Sequence, residues 1–247
     1  GPAGRVFYVS PGAVYVWMSD WRRRNRPADA SMLVRMPLDG AGPSALGVSG
    51  SPVDQFSFLE SADGWLNVLV RSGARGDAMW NPESAPGDAA LLRLPPASFG
   101  DGSGSAPASR YRPLPAPGGS AFQNRFVGDH LLYGTGSGWG RPRQDSATLY
   151  IVPWTGGEVE RLTLPHGVDR IEAMGAQAVV VGTYGRNLSF SGIRLEGRPT
   201  LAQRYTMEGA SQGETRSHGF FYRADGPQSG VLGLPVRGPG RPGYEHL

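Results

Sequence analysis

The stretch Phe56-Ser57-Phe58-Leu59-Glu60-Ser61-Ala62-Asp63-Gly64-Trp65-Leu66-Asn67-Val68-Leu69-Val70 sets two short apolar runs on either side of Ala62-Asp63-Gly64. Asp-Gly between such runs reads as a β-hairpin, because glycine accepts the positive φ of a tight turn and aspartate bonds nearby backbone N–H groups. The same grammar recurs outward in both directions. Val6-Phe7-Tyr8-Val9 turns at Ser10-Pro11-Gly12 into Val14–Met18, and Arg125-Phe126-Val127 turns at Gly128-Asp129 into Leu131-Leu132-Tyr133. Ile171–Met174 turns at Gly175-Ala176-Gln177 into Ala178–Val181, and Gly219-Phe220-Phe221-Tyr222 turns at Asp225-Gly226 and resumes at Val231-Leu232. Val14, Trp65, Leu131, Val179 and Val231 are then equivalent points spaced 51, 66, 48 and 52 residues apart, a period of about 50.

In the first four units a third strand follows the hairpin, at Met32–Met36, Ala90–Leu94, Thr148–Val152 and Ser189–Leu195, and a fourth at Ala45–Val48, Tyr111–Leu114, Val159–Leu164 and Leu201–Met207. Four antiparallel strands per repeat is the blade of a β-propeller, which predicts an all-β single domain over 1–247 with four four-stranded blades and part of a fifth, an incomplete ring. The blades fall near residues 5–53, 54–118, 122–167, 168–209 and, in part, 214–237. Val16, Trp65, Leu132 and Val180 should be deeply buried at equivalent places. The one long interval is accounted for by Ser98–Ser109, a Gly/Ser/Ala/Pro stretch that reads as a flexible loop insertion. An irregular β-sandwich is the rival fold, since its strands are similarly spaced, but it does not require one hairpin grammar at a fixed period. No long window carries a 3.6-residue apolar period, so helices should be almost absent.

Composition agrees with a folded, turn-rich chain. Gly 38 and Pro 22 make up close to a quarter of 247 residues, yet they are separated by apolar runs, and 39% of the residues are hydrophobic. The net charge of +3 is too mild for a general nucleic-acid binder. All 24 basic residues are Arg, which beside abundant Gly, Ala and Pro points to a high-GC bacterial coding sequence. Cys 0 removes disulfides, thiolate metal sites and cysteine nucleophiles. No apolar run approaches the roughly 20 residues of a membrane-spanning helix.

The wording of the repeats resembles a bacterial family of secreted β-propeller domain proteins, distantly WD-like. The resemblance is carried by Tyr8-Val9-Ser10-Pro11-Gly12-Ala13-Val14-Tyr15-Val16, by Asp54–Leu59 with Asp63–Val68, and by Asp169-Arg170-Ile171-Glu172-Ala173-Met174-Gly175. It implies a propeller exported to the periplasm, cell surface or medium. It supplies no catalytic residues to carry over. Domains of that family are longer, so the chain reads as a segment whose open strand edges could self-associate.

The sequence offers no catalytic residues, no metal ligands and no cofactor site. His130, His166, His218 and His246 show no metal-ligand spacing, and no Gly-x-Ser-x-Gly occurs. Gly134-Thr135-Gly136-Ser137-Gly138-Trp139-Gly140 lacks the following helix that a nucleotide-binding loop requires, so it reads as a floppy β-loop. Asn187-Leu188-Ser189 matches a glycosylation sequon, accidental in a bacterial protein. Glu158 and Glu160 read as a solvated strand face.

A binding face is the remaining signal. The connections between second and third strands hold Trp21-Arg22-Arg23-Arg24-Asn25-Arg26, then Arg75 with Trp80, then Trp139-Gly140-Arg141-Pro142-Arg143, then Tyr184-Gly185-Arg186, each coupling an aromatic with arginine. Guanidinium groups stack on aromatic rings and grip oxyanions bidentately, and these side chains dominate binding hot spots. The expectation is a non-catalytic recognition or scaffolding module of the cell envelope or exterior, whose partner is another protein or an anionic envelope component. Two alternatives stay open. One is a propeller hydrolase or quinone-type dehydrogenase with a central-channel site, and the other a purely structural segment.

Overall fold

The computed structural model describes residues 4–19, 31–73, 79–81, 83–119, 121–136, 146–213, 219–226 and 229–238. They form an all-β structure in two compact units, Gly1–Ala116 and Pro117–Leu247, without an α-helix among the described residues.

In the first unit, sheet A is an antiparallel meander of β1 (Gly4–Val9), β2 (Ala13–Ser19), β3 (Ser31–Pro37) and β4 (Ser44–Val48). Sheet B follows with β5 (Phe58–Glu60), β6 (Leu66–Arg71), β7 (Ala89–Leu94) and, after an excursion, β9 (Tyr111–Leu114). The excursion corrects the expectation of a flexible insertion at 98–109. It contains β8 (Asp101–Ser105), which runs parallel to β4 and adds a fifth strand to sheet A. Backbone bonds fix it at both ends, from Ala45 N to Gly100 O at 2.8 Å and from Ala106 N to Gly47 O at 2.8 Å. A Gly/Ser composition predicts a soft segment, but small side chains also let a strand lie close to its neighbour. Gly102, at φ +87°, sits where a Cβ would press on Ala45 and touch Met32, in a backbone conformation that favours glycine.

The hairpin that set the fold forms as read. Asp63 Oδ1 accepts hydrogen bonds from Trp65 N at 3.2 Å and Ser61 Oγ at 2.6 Å, and Gly64 takes φ +78°. The Ser61 hydroxyl bond, foremost, holds the Asp63 pKa below its usual value. Trp65 departs from expectation. It is only half-buried, with the guanidinium groups of Arg93 and Arg110 lying 5.0 and 5.3 Å from its ring, so it caps the sheet end instead of filling the core. The core of this unit is Tyr15, Trp17, Leu33, Phe58, Val68 and Leu92, from both sheets.

In the second unit, sheet C is β10 (Phe122–Val127), β11 (His130–Thr135), β12 (Ala147–Pro153) and β13 (Glu160–Leu164). Sheet D is β14 (Arg170–Met174), β15 (Gln177–Tyr184), β16 (Asn187–Arg194) and β17 (Thr200–Met207). Leu132, Leu149, Ile151, Val168, Val180 and Ile193 bury fully between these sheets, each worth about 1.5–3 kcal/mol against exposure. Four short strands follow, β18 (Ser211–Gln212), β19 (Phe221–Ala224), β20 (Gly230–Gly233) and β21 (Val236–Arg237), with β19 paired to β20 and β18 to β21. The first strands neighbour one another, β10 beside β14 and β14 beside β19. A bulge in β17, where Ala202 and Gln203 oppose the single Gly192, reverses which face its two ends present.

Candidate functional site

Alternate residues of a strand point to opposite faces, so the pairing of β16 with β17 decides what meets on sheet D. Ser189 stands opposite Thr206 and Ser191 opposite Arg204 on one face. The β15–β16 hairpin adds Tyr184 and Asn187, which pair across Gly185-Arg186, with Gly185 at φ +57°. Pro165, on the connection from β13 to β14, closes the remaining side. Together these six residues line a cleft of about 410 Å³. Its donors are the Arg204 guanidinium, the Tyr184 hydroxyl, one of the Ser189 and Thr206 hydroxyls, which bond each other at 3.3 Å, and the Asn187 amide, whose oxygen is taken by Gly209 N at 3.1 Å. Arg204 is exposed and has no carboxylate within ion-pair distance among the described residues.

Beneath the cleft lies a hydroxyl–imidazole pair. His166 Nε2 is 2.7 Å from Ser191 Oγ, and its Nδ1 is 2.7 Å from the Gly167 carbonyl oxygen. A carbonyl only accepts, so Nδ1 donates and Nε2 accepts the Ser191 proton. Burial pushes the His166 pKa down, and the charge of Arg204 adds to it, while the Gly167 carbonyl and Asp169 oppose. The donor arrangement resembles an activated serine, but both side chains have zero exposure and no substrate reaches the hydroxyl. The pair instead fastens the β13–β14 connection onto β16. Gly182 is part of the same fit, since a methyl group there would overlap Gly167 O and the imidazole.

A second charged group crosses the first strands. Glu172 of β14 takes Arg170 Nη1 at 2.9 Å and Arg125 Nη2 of β10 at 3.0 Å, and Arg170 Nε donates to Gln212 Oε1 of β18 at 3.0 Å. Arg170 and Glu172 are buried, so the carboxylate is held by bonded partners, as its burial requires. Among the described residues no group of three or more His, Asp and Glu is placed to hold a metal ion.

Of the arginine–aromatic face read from sequence, Trp21, Arg22, Arg23, Arg24, Arg26, Arg75, Trp139, Arg141 and Arg143 lie outside the described residues. Trp80 corrects the expectation of an exposed contact. It is 4% exposed, stacked on Tyr111 at 5.7 Å, because the β6–β7 connection folds its large ring into the core beside Gly50. Tyr184 and Arg186 are exposed on one hairpin, and only Tyr184 lines the cleft. The glycine run is also corrected where it is described. Gly134 belongs to β11, and Gly134 and Gly136 pass so close under Val168 and Asp169 that a methyl group on either would overlap them.

Arg204, Thr206, Ser189, Asn187 and Pro165 escaped the sequence reading. The signal present was polar alternation, Ser189 with Ser191 and Arg204 with Thr206, in two strands expected to be apolar inside. Compared with known proteins, the chain matches no family model and no curated protein.

Proposed function

We propose that the chain is a non-catalytic recognition module of propeller type, and that the cleft on sheet D takes a carboxylate presented by a partner protein. Arg204 carries the reading: an exposed guanidinium without an acidic partner among the described residues, ringed by hydroxyl and amide donors on fixed strands. That set suits a planar oxyanion, which Arg binds bidentately. The buried His166–Ser191 pair offers no reachable nucleophile, so the enzyme alternative finds no support in this cleft.

The propeller reading is supported by the repetition of the four-stranded meander and by the way successive sheets meet through their first strands. Within the first unit the Tyr8 hydroxyl oxygen of β1 accepts the Glu60 N–H of β5 at 3.1 Å. Within the second, β10, β14 and β19 follow one another side by side. The sequence resemblance adds the expectation of an exported protein.

Calorimetric titration with tri-glutamate, beside inorganic phosphate, tests the cleft. A Kd below about 1 mM for the peptide, weakened about tenfold by Arg204→Gln, is expected, a loss of about 1.4 kcal/mol. Equal binding to the variant, or preference for phosphate, contradicts the reading.

A further inference from the structure

The polar cleft and the buried imidazole beneath it share a boundary. Ser191 stands opposite Arg204 in the β16–β17 register, and its hydroxyl is bonded to His166 Nε2 on the face of sheet D that carries the cleft. Pro165, next to His166 in the chain, is a wall of the same cleft.

His166 can take up a proton without losing either partner. Nδ1 donates to the Gly167 carbonyl in both states. Nε2 accepts the Ser191 proton when neutral and donates to the same oxygen when charged, because a hydroxyl serves in either role. The change asks for a turn of one hydroxyl and a proton from solvent, with the β13–β14 connection left in place.

Burial weighs most against a charge on the ring; the Gly167 carbonyl and Asp169 favour it, and Arg204 of β17 opposes it. Asp169 is held by Thr183 N of β15, which donates to its Oδ2 at 2.8 Å. β15 and β16 present Gly182 and Ser191 to the ring and add no charge, and the Tyr184 hydroxyl stands further along β15 at the cleft. Arg204 is therefore the group through which the cleft acts on His166. A carboxylate bound to it cancels the guanidinium charge and leaves Asp169 in place, which lowers the cost of the imidazolium.

We propose, on the carboxylate reading of the cleft, that filling it draws a proton onto His166, so that the cleft holds its ligand more tightly in mild acid than at neutral pH. Linkage sets the sign, since a ligand that favours the imidazolium is bound more tightly by the imidazolium. Histidine titrates in the range where such a change is read without ionising or neutralising the other partners.

Calorimetric titration with tri-glutamate is run at pH 7.5 and 5.5, where its carboxylates stay largely ionised. Kd should be at least about threefold lower at pH 5.5, with proton uptake read from buffers of different ionisation enthalpy. His166→Gln should remove the difference. In the ligand-free chain, the NMR titration midpoint of the His166 imidazole should rise by about 0.3 pH unit or more in Arg204→Gln, a readout that needs neither ligand nor the histidine variant. Equal Kd at both pH values, a difference retained in His166→Gln, or a midpoint unmoved by Arg204→Gln would overturn the proposal and leave the carboxylate reading standing. No binding at either pH would overturn that reading, and the proposal with it.

Discussion

The imidazole of His166 and the hydroxyl of Ser191 meet at 2.7 Å with neither reaching solvent, joining the connection between two sheets to a strand of the second. A buried polar pair of this kind is satisfied only in one arrangement, so it specifies how the connection lies over β15 and β16. The cleft above it inherits that placement, because Pro165 stands next to His166 in the chain.

Stability should fall on mild acidification. The folded pKa of His166 lies below its ordinary value of 6.5, so its contribution is complete above about pH 6.5 and declines as pH falls from there toward the folded value. His130, also pushed down by burial, acts in the same sense. Thermal melts from pH 7.5 to 5 should show this slope, and His166→Gln should reduce it. His166→Ala should cost about 2 kcal/mol at pH 7.5 by leaving Ser191 unpaired. An unchanged slope in His166→Gln would refute the assignment.

The Arg125–Glu172–Arg170 group should be intolerant of losing its centre. Glu172→Ala strands the buried Arg170 charge and should destabilise by about 3–5 kcal/mol in urea unfolding. Arg125→Ala should cost clearly less, about 1 kcal/mol, since its side chain is 24% exposed. Equal costs would mean that the two pairs are not distinguished by burial.

Gly182 and Gly104 should behave oppositely towards alanine. At Gly182 the added methyl meets Gly167 O and His166, an overpacking expected to cost about 1–3 kcal/mol or more. Nothing lies within 4 Å of a methyl at Gly104, so Gly104→Ala should stay within about 0.5 kcal/mol.

Strand β8 should be released by a branched residue at Gly102, where φ is +87° and Ala45 and Met32 are close. In Gly102→Val the Ala45 and Ala106 amides, bonded to Gly100 O and Gly47 O, should exchange much faster while β2 and β3 keep their protection. Retained protection at both amides would show that β8 does not depend on the glycine.

The meander strands were legible because each hairpin pairs strong local turn chemistry with apolar alternation; Asp63-Gly64 and Gly128-Asp129 each fix their own register. What escaped depends on distant partners. β8 carries no apolar signal, since its only requirement is to lie flat on β4. Trp80 and Trp65 exchanged expected environments, one drawn into the core by Tyr111 and the other capped by arginines from elsewhere in the chain. The cleft was hidden for the same reason. Arg204 and Tyr184 are 20 residues apart and become neighbours only through the β15–β16–β17 pairing.

The cleft itself is tested most directly by mapping backbone amide shifts during titration with tri-glutamate, against a sodium chloride series of matched ionic strength. Saturable shifts clustered at Tyr184, Asn187, Ser189, Arg204 and Thr206, and lost in Arg204→Gln, are expected. Shifts that are scattered over the surface, that match the salt series, or that persist in the variant would contradict this.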